Sequence, residues 1–421
     1  MSKQYIVQQG DTASLIARKV YGDDQKSYLI TQSNPGASLS PGTSIIIPDD
    51  PDGIASGSAN AKASSPNEVA MSIKNKRFRF WNEVSIVLSI DAQSVVEFSA
   101  PFEPNIQDFR ETFKPFTFHD ITVEIAGLRL FTGTLVAATP SFDVSSRTIQ
   151  VSCYSKGGVM GDCTPPASAF PLEWKGVALP VIAKKVAGFF GLNVEFVGDS
   201  GAPFKKVRLS PGTKAMDFLS DLAAARMMTI GSRPDGTVLF IRESDTPGPP
   251  VASLTDGVSP VTGIRAFFRP QDYYSHVTGV TPVVVDDALA NIIGSQTSGG
   301  AKYTVKNSRL SDIIRPFTFN ARDNDDSNAK TATEAKAGRM FANAAVYEVA
   351  VATWRDQYGT LWEPGTYISL FAPSAMIYSR YTFQIRSIKF EKDGSIEKAT
   401  LTLILPGSLS GKVPGVLPWD A

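Results

Sequence analysis

The sequence predicts a mainly β protein with α+β insertions. Three observations predict it. Stretches of alternating apolar and polar residues recur along most of the chain, helical spacing is confined to a few segments, and turn residues punctuate the strands. A hydrophobic content of 43% with 19% charged residues suits globular domains with real cores, and 421 residues suit two to four of them.

The chain opens on a small β-α-α-β unit. Tyr5, Ile6 and Val7 make a strand, Gly10-Asp11-Thr12 a tight turn, and Ile16, Ala17 and Val20 one face of a helix. A second helix over Ser27 to Gln32 leads to the strand Ile45-Ile46-Ile47, stopped by Pro48. Small and polar residues from Asp49 to Glu68 then form a flexible linker. Strands follow around Ile86 to Ile90, on both sides of an Ala126-Gly127 hairpin turn, and through Ile149, Val151 and Cys153. Leu179, Ile182, Val186 and Phe189 recur at helical spacing up to a stop at Gly191. Met216, Leu219, Leu222 and Ala223 do the same, with Thr213 placed to cap. Pro234-Asp235-Gly236 then turns a hairpin. A second strand-rich block begins near Val261, is interrupted by an Ala-rich helix around Ala329 to Ala345, and resumes to the turn Lys392-Asp393-Gly394 and beyond. The two blocks suggest a degenerate duplication that no residue-level repeat reveals.

Chemistry has no visible seat. There are two histidines, His119 and His276, no H-E-x-x-H, and no G-x-S-x-G, so no metal, cofactor or catalytic site is expected. Cys153 and Cys163 lack metal or redox spacing and are expected reduced and partly buried. A Cys153–His276 nucleophile pair is disfavoured because Cys153 sits in mid-strand. Gly157, Gly158 and Gly161 lack the Lys-Ser/Thr of a phosphate loop, and Asp323 to Asp326 lack the spacing of a calcium loop. Lys+Arg and Asp+Glu balance at 41 each, which argues against gripping nucleic acid. No apolar run is long enough to span a bilayer and no signal sequence opens the chain, so folding in a cytoplasm is expected.

Residues 3–49 resemble a LysM domain through Tyr5-x-Val7, Gly10-Asp11-Thr12, Ile16-Ala17, Tyr21-Gly22, Asn34-Pro35-Gly36 and Pro41-Gly42-Thr43 to Ile47-Pro48. The resemblance implies a groove for glycan or protein between two loops, with Gly10, Asp11, Thr12, Asn34, Pro35 and Leu39 as its contacts. Ala13 stands where many glycan-binding members have a large apolar residue, which weakens the expected sugar affinity.

From about residue 80 to 408 the chain resembles the baseplate hub proteins of Mu-like contractile phage tails. The resemblance is carried by "FKPFTFHDITVEIAGLRLFTGTL", "SRTIQVSCYSKGGVMGDCTPP", "DFLSDLAAARMMTIGSRPDGTVLFIR" and "VATWRDQYGTLWEPGTYISLFAP", the last with Trp354 and Trp362. It implies a homotrimer in which each subunit supplies two tail-tube-like β-barrels. It further implies tail tube, central spike and baseplate wedge proteins as partners, DNA passing through a channel without being bound, and a place in the virion tail after assembly in the host cytoplasm. The chain closes soon after its last strand, so the spike is expected to be another polypeptide. A LysM-targeted peptidoglycan hydrolase and a non-catalytic wall-binding adaptor are the alternatives.

The expected division places the module at 1–48, the linker at 49–69 and the first barrel at 70–165, completed by strands around 236–265. An inserted α+β domain occupies 166–235. The second barrel comprises 266–310 and 365–408, with a helical and strand insertion at 311–364 and a C-terminal tail at 409–421.

Overall fold

A computed structural model of the chain describes residues 3–8, 11–21, 27–34, 38–47, 67–74, 76–79, 81–102, 104–143, 147–281, 302–321, 326–394, 396–412 and 414–420. The N-terminal module has strands β1 (Lys3–Ile6) and β2 (Ser44–Ile47), paired antiparallel, and helices α1 (Ala13–Tyr21) and α2 (Ser27–Ser33). Val7, Ile16, Ala17, Ile30, Ile45 and Ile47 form its core, whereas Val20, expected on the same helical face, is exposed. The linker up to residue 66 lies outside the described residues. Asn67 and Glu68, counted with it, are held: Asn67 is buried, donates to Glu397 Oε2 at 2.7 Å and accepts from Arg355 Nε at 3.0 Å.

The first β block contains β3 (Val69–Ile73), β4 (Lys76–Phe78), β5 (Glu83–Ser89), β6 (Val95–Pro101), the short helix α3 (Gln107–Thr112), β7 (Asp120–Ile125), β8 (Leu128–Phe142) and β9 (Arg147–Ser155). Ala126 and Gly127, with φ of 50° and 82°, turn β7 into β8, the geometry a two-residue hairpin demands. An inserted α+β unit follows with α4 (Val159–Asp162), β10 (Leu172–Val177), α5 (Leu179–Gly188), β11 (Val194–Val197), β12 (Phe204–Leu209), α6 (Ala215–Ala224), β13 (Met228–Ser232) and β14 (Val238–Arg242). The apolar stripes of α5 and α6 meet in its core, with Phe204, Met228 and Phe240. Thr213 does not cap α6; Lys214 stands at the cap and makes no side-chain bond there.

The second block begins with β15 (Pro250–Thr255) and β16 (Val261–Phe268). Then β17 (His276–Val280), β18 (Lys302–Lys306) and β19 (Pro316–Asn320) make a separate three-stranded sheet packed on helix α7 (Asp326–Ala344). The block resumes with β20 (Ala345–Val351), β21 (Tyr367–Ala372), β22 (Ile377–Asp393) and β23 (Ile396–Ile404). Ala321 and Ala332 enter the core of the first insertion, so the two insertions pack together. The C-terminal segment is not a loose tail. Leu409 and Leu417 are buried, and a Cβ added to Gly338 of α7 would lie 2.2 Å from the Ser408 carbonyl, so only glycine permits this approach.

Both blocks belong to one 13-stranded sheet, running β16-β20-β23-β22-β5-β6-β9-β8-β7-β3-β4 with β21 and β15 branching from β22. The joint is the antiparallel pairing of β22 with β5, from Ser387 opposite Ser89 to Asp393 opposite Glu83. Strand partners therefore differ from the expected division. β14 pairs in parallel with β11 inside the first insertion, and β15 and β16 pair with β21 and β20. None of the three completes the first block. Likewise β17 and β18, expected in the second block, lie in the insertion, while β20, expected there, is in the block. Alternation marks a strand, but its partner is set by contacts distant in sequence.

The duplication that the residues conceal is plain in the register. One constant displacement along the chain carries Leu135 opposite Cys153 onto Ile385 opposite Leu403, Ala137 opposite Ser152 onto Ser387 opposite Thr402, and Phe142 opposite Arg147 onto Lys392 opposite Glu397. Even the bulge recurs, between Leu135 and Ala137 and between Ile385 and Ser387.

Candidate functional site

The residues that sequence singled out for chemistry stay apart. Cys153 is buried in β9 of the first block, and burial alone pushes its thiol up. His276 opens β17 in another sheet, its Nδ1 3.0 Å from Ser275 Oγ. His119 is held below its ordinary pKa, first by burial and then by Lys74. Cys163 is exposed rather than partly buried. Asp323 to Asp325 lie outside the described residues, and Asp326 opens α7. Among the described residues no group of His, Cys, Asp and Glu is arranged to hold a metal ion.

In the N-terminal module the named polar side chains are bonded internally. Asp11 accepts from Lys19 Nζ at 2.5 Å, from the Gln8 N–H at 2.8 Å and from the Tyr5 hydroxyl at 2.8 Å. Lys19 first, then the Gln8 N–H, lower its pKa to about 2. Thr12 Oγ1 accepts from the Leu15 N–H at 3.2 Å and caps α1. Asn34 locks α2 to β2: its Nδ2 donates to the Ile30 and Ile46 carbonyls, and its Oδ1 accepts from the Ile46 N–H at 2.7 Å. Leu39 packs on the module's core. Gly10 and Pro35 lie outside the described residues.

One face of the long sheet is polar. On its inner side Ile86, Val96, Phe98, Val151, Ile388, Phe390 and Leu401 are buried. The alternating residues point the other way and line up across the joint. Lys398, Glu391, Ser85, Glu97 and Ser152 form one row of directly opposed positions from β23 to β9. Arg265, Glu348, Thr402, Ser387 and Ser89 form another from β16 to β5. Both signs of charge are present, and Glu391 takes Lys389 at 2.7 Å and Lys398 at 3.3 Å. A shallow depression of about 560 Å³ runs over this face where the blocks meet.

Behind the joint lies a cluster that sequence reasoning missed. Arg386 holds Asp91, from the loop after β5, through Nε at 2.9 and 3.1 Å and through a second guanidinium nitrogen at 2.7 Å. Its remaining nitrogen donates to Asn343 Oδ1 of α7 at 2.9 Å. Arg339, also on α7, donates to the Met228 carbonyl of β13. Gln384 donates to Glu243 Oε2 at 2.7 Å, while Glu243 Oε1 is buried without a partner. Burial pushes the Glu243 carboxyl above its ordinary range, Gln384 opposes this, and Asp91 adds to it. Both blocks and both insertions thus meet on four charged residues. Arg386 stands in the β22 bulge, and bulges re-aim side chains; a bulge leaves no mark in a single sequence.

Residues 157–242 match the family model described as "Baseplate hub protein gp44-like, second domain". The fold is similar to that of the 43 kDa tail protein of prophage MuSo2 from Shewanella oneidensis, at 23% identity and a TM-score of 0.66, covering 81% of this chain and 99% of that one. It is also similar to a tail protein from Neisseria meningitidis MC58, at 17% identity and a TM-score of 0.66, covering 82% and 98%. Prophage tail protein gp18 from Listeria monocytogenes is a more distant likeness, at 10% identity and a TM-score of 0.50, covering 80% and 94%. No curated protein sequence matches. The chain therefore has the fold of phage tail proteins and contains a stretch like a baseplate hub's second domain.

Proposed function

We propose that this protein is the structural hub of a contractile phage tail baseplate, a component of the virion that performs no catalysis. Three copies form a ring of six similar β blocks. The ring matches a sixfold tail tube on one side and a threefold central spike on the other, with baseplate wedge proteins around it and DNA passing through the middle. The observation that carries this reading is the repeated register of two blocks joined in one sheet with a single polar, charge-balanced face. Two equivalent blocks per chain are what a threefold body needs to meet a sixfold one. A face whose charges cancel is suited to a channel, because net positive charge would hold phosphate in place.

The N-terminal module docks on a neighbouring baseplate protein. Asp11, Thr12 and Asn34 already use polar atoms inside the module, so few remain for a sugar at those positions.

Light scattering on the chain mixed with its spike and tube proteins is the test, with three copies per complex expected. A stable complex holding one or two copies sinks the ring. A chain beginning at Asn67, which keeps the bonds of that residue to Glu397 and Arg355, is expected to form the same ring yet complete fewer baseplates. If the full chain instead sediments with purified cell wall and the shortened chain does not, the module reads glycan.

A further inference from the structure

The internal joint has a counterpart that is left open. By the matched registers, β5, β6, β9 and β8 of the first block correspond to β16, β20, β23 and β22 of the second. In the second block the C-terminal half of β22 has β23 on one side and β5 on the other. The C-terminal half of β8, from Ala137 to Phe142, has β9 on one side and no strand on the other among the described residues. The counterpart of β5 is β16, which among the described residues pairs with β20 alone and ends the sheet. Each chain therefore carries the two halves of a second joint, β16 at one end of its sheet and the outer half of β8 seven strands away, and they do not pair with each other.

We propose that the open edge of β8 pairs with β16 of a second copy of this chain, antiparallel, reproducing the β22–β5 joint between subunits. This rests on the ring reading above and supplies its contact. Carrying the internal register across sets Ala137 opposite Arg269, Thr139 opposite Phe267, and Ser141 opposite Arg265. Because the two edges differ, the contact is head-to-tail and closes only as a ring.

Side chains at the two joints support the assignment. Ile388 and Phe390 are fully buried where β5 covers them, whereas their counterparts Ala138 and Pro140 are half-buried and exposed. Phe142 is 72% exposed and Phe268 43%, apolar surface that a neighbouring strand covers. The polar face also continues, since Arg265 ends one of its rows and Ser141 meets it. An uncovered edge is a hazard that folds otherwise blunt; Pro140 removes one donor and so discourages indiscriminate pairing.

The test uses the full chain with exposed Cys163 replaced (Cys163→Ser) and the pair Ser141→Cys and Arg265→Cys introduced. Under mild oxidation a covalent three-chain species is expected, at least about tenfold more abundant than with Ser141→Cys and Phe267→Cys, where the sulfurs are out of register. Each single variant should give none. Particles that scatter light as trimers yet never crosslink overturn the strand joint and leave the ring standing. Chains that stay single both alone and with tube and spike proteins overturn the joint and the ring together.

Discussion

The two β blocks share a register but close their cores with different plugs at the same place in the topology. Between β6 and β7 the first block inserts α3; its Phe109, and Phe113 just after it, pack against Phe78, itself beside Trp81. Between β20 and β21 the second block inserts a tight turn, with Asp356 Oδ1 accepting from the Tyr358 and Thr360 N–H groups. Trp354 and Trp362 flank that turn and are buried. The Trp354 indole N–H is shared between the Lys398 carbonyl at 2.9 Å and the Glu391 carbonyl at 3.2 Å, so it ties β23 to β22 as well as filling space. In the first block the Trp81 indole reaches one carbonyl, that of Val69, at 3.3 Å. The difference teaches that the backbone register is the inherited part, while the filling can be replaced wholesale.

The comparison can be broken most directly at Trp354. Trp354→Ala should cost about 3–5 kcal/mol in chemical denaturation, since it empties a fully buried site. An unchanged midpoint would mean the plug is dispensable. Trp354→Phe keeps a ring and removes the donor, and about 1–3 kcal/mol is expected because two strand carbonyls lose their partner. A loss as large as that of the alanine variant would show that the hydrogen bonds, not the bulk of the ring, fix the strands. Glu243→Gln sharpens the contrast at Gln384, whose counterpart in the first block is Thr134. A buried carboxyl with a raised folded pKa favours the folded state when protonated and loses that contribution as pH rises past its ordinary value of 4.5. The glutamine variant should therefore gain roughly 1 kcal/mol at neutral pH, with the gain vanishing below about pH 4. A gain that persists in acid would trace to packing instead. The smallest effect belongs to the polar face, where Lys398→Ala should change stability by less than about 0.5 kcal/mol, since an exposed pair contributes little. A clearly larger loss would mean the face is load-carrying rather than merely solvated.

What the sequence made legible was local. Ala126-Gly127, Pro234-Asp235-Gly236 and Lys392-Asp393-Gly394 each sit at a real hairpin, because positive φ is required there and few residues supply it cheaply. The helices around Leu179–Val186 and Met216–Ala223 follow from spacing alone. Partners were not legible. Val238–Arg242 alternates like any strand, and nothing within it specifies a parallel neighbour at Val194–Val197. The repeat was hidden because Leu135 and Ile385, or Cys153 and Leu403, need share only volume and burial, not identity. In the module, Asp11 and Asn34 were recognisable as special, but their work inside the fold could not be separated from contact with a ligand.

The β22–β5 pairing also has a history in time. Strand β5 emerges from the ribosome roughly 300 residues before the β22 segment that covers it, about 15–60 s at ordinary elongation rates. Throughout that interval Val84 and Ile86, buried in the finished molecule, border an edge with no neighbour. Where several copies are translated side by side, that edge can take the β22 segment of another chain instead of its own. Exchange of this kind would yield tangled chains with correct local structure. Synthesis rate, and not only final stability, therefore bears on how many sound molecules result.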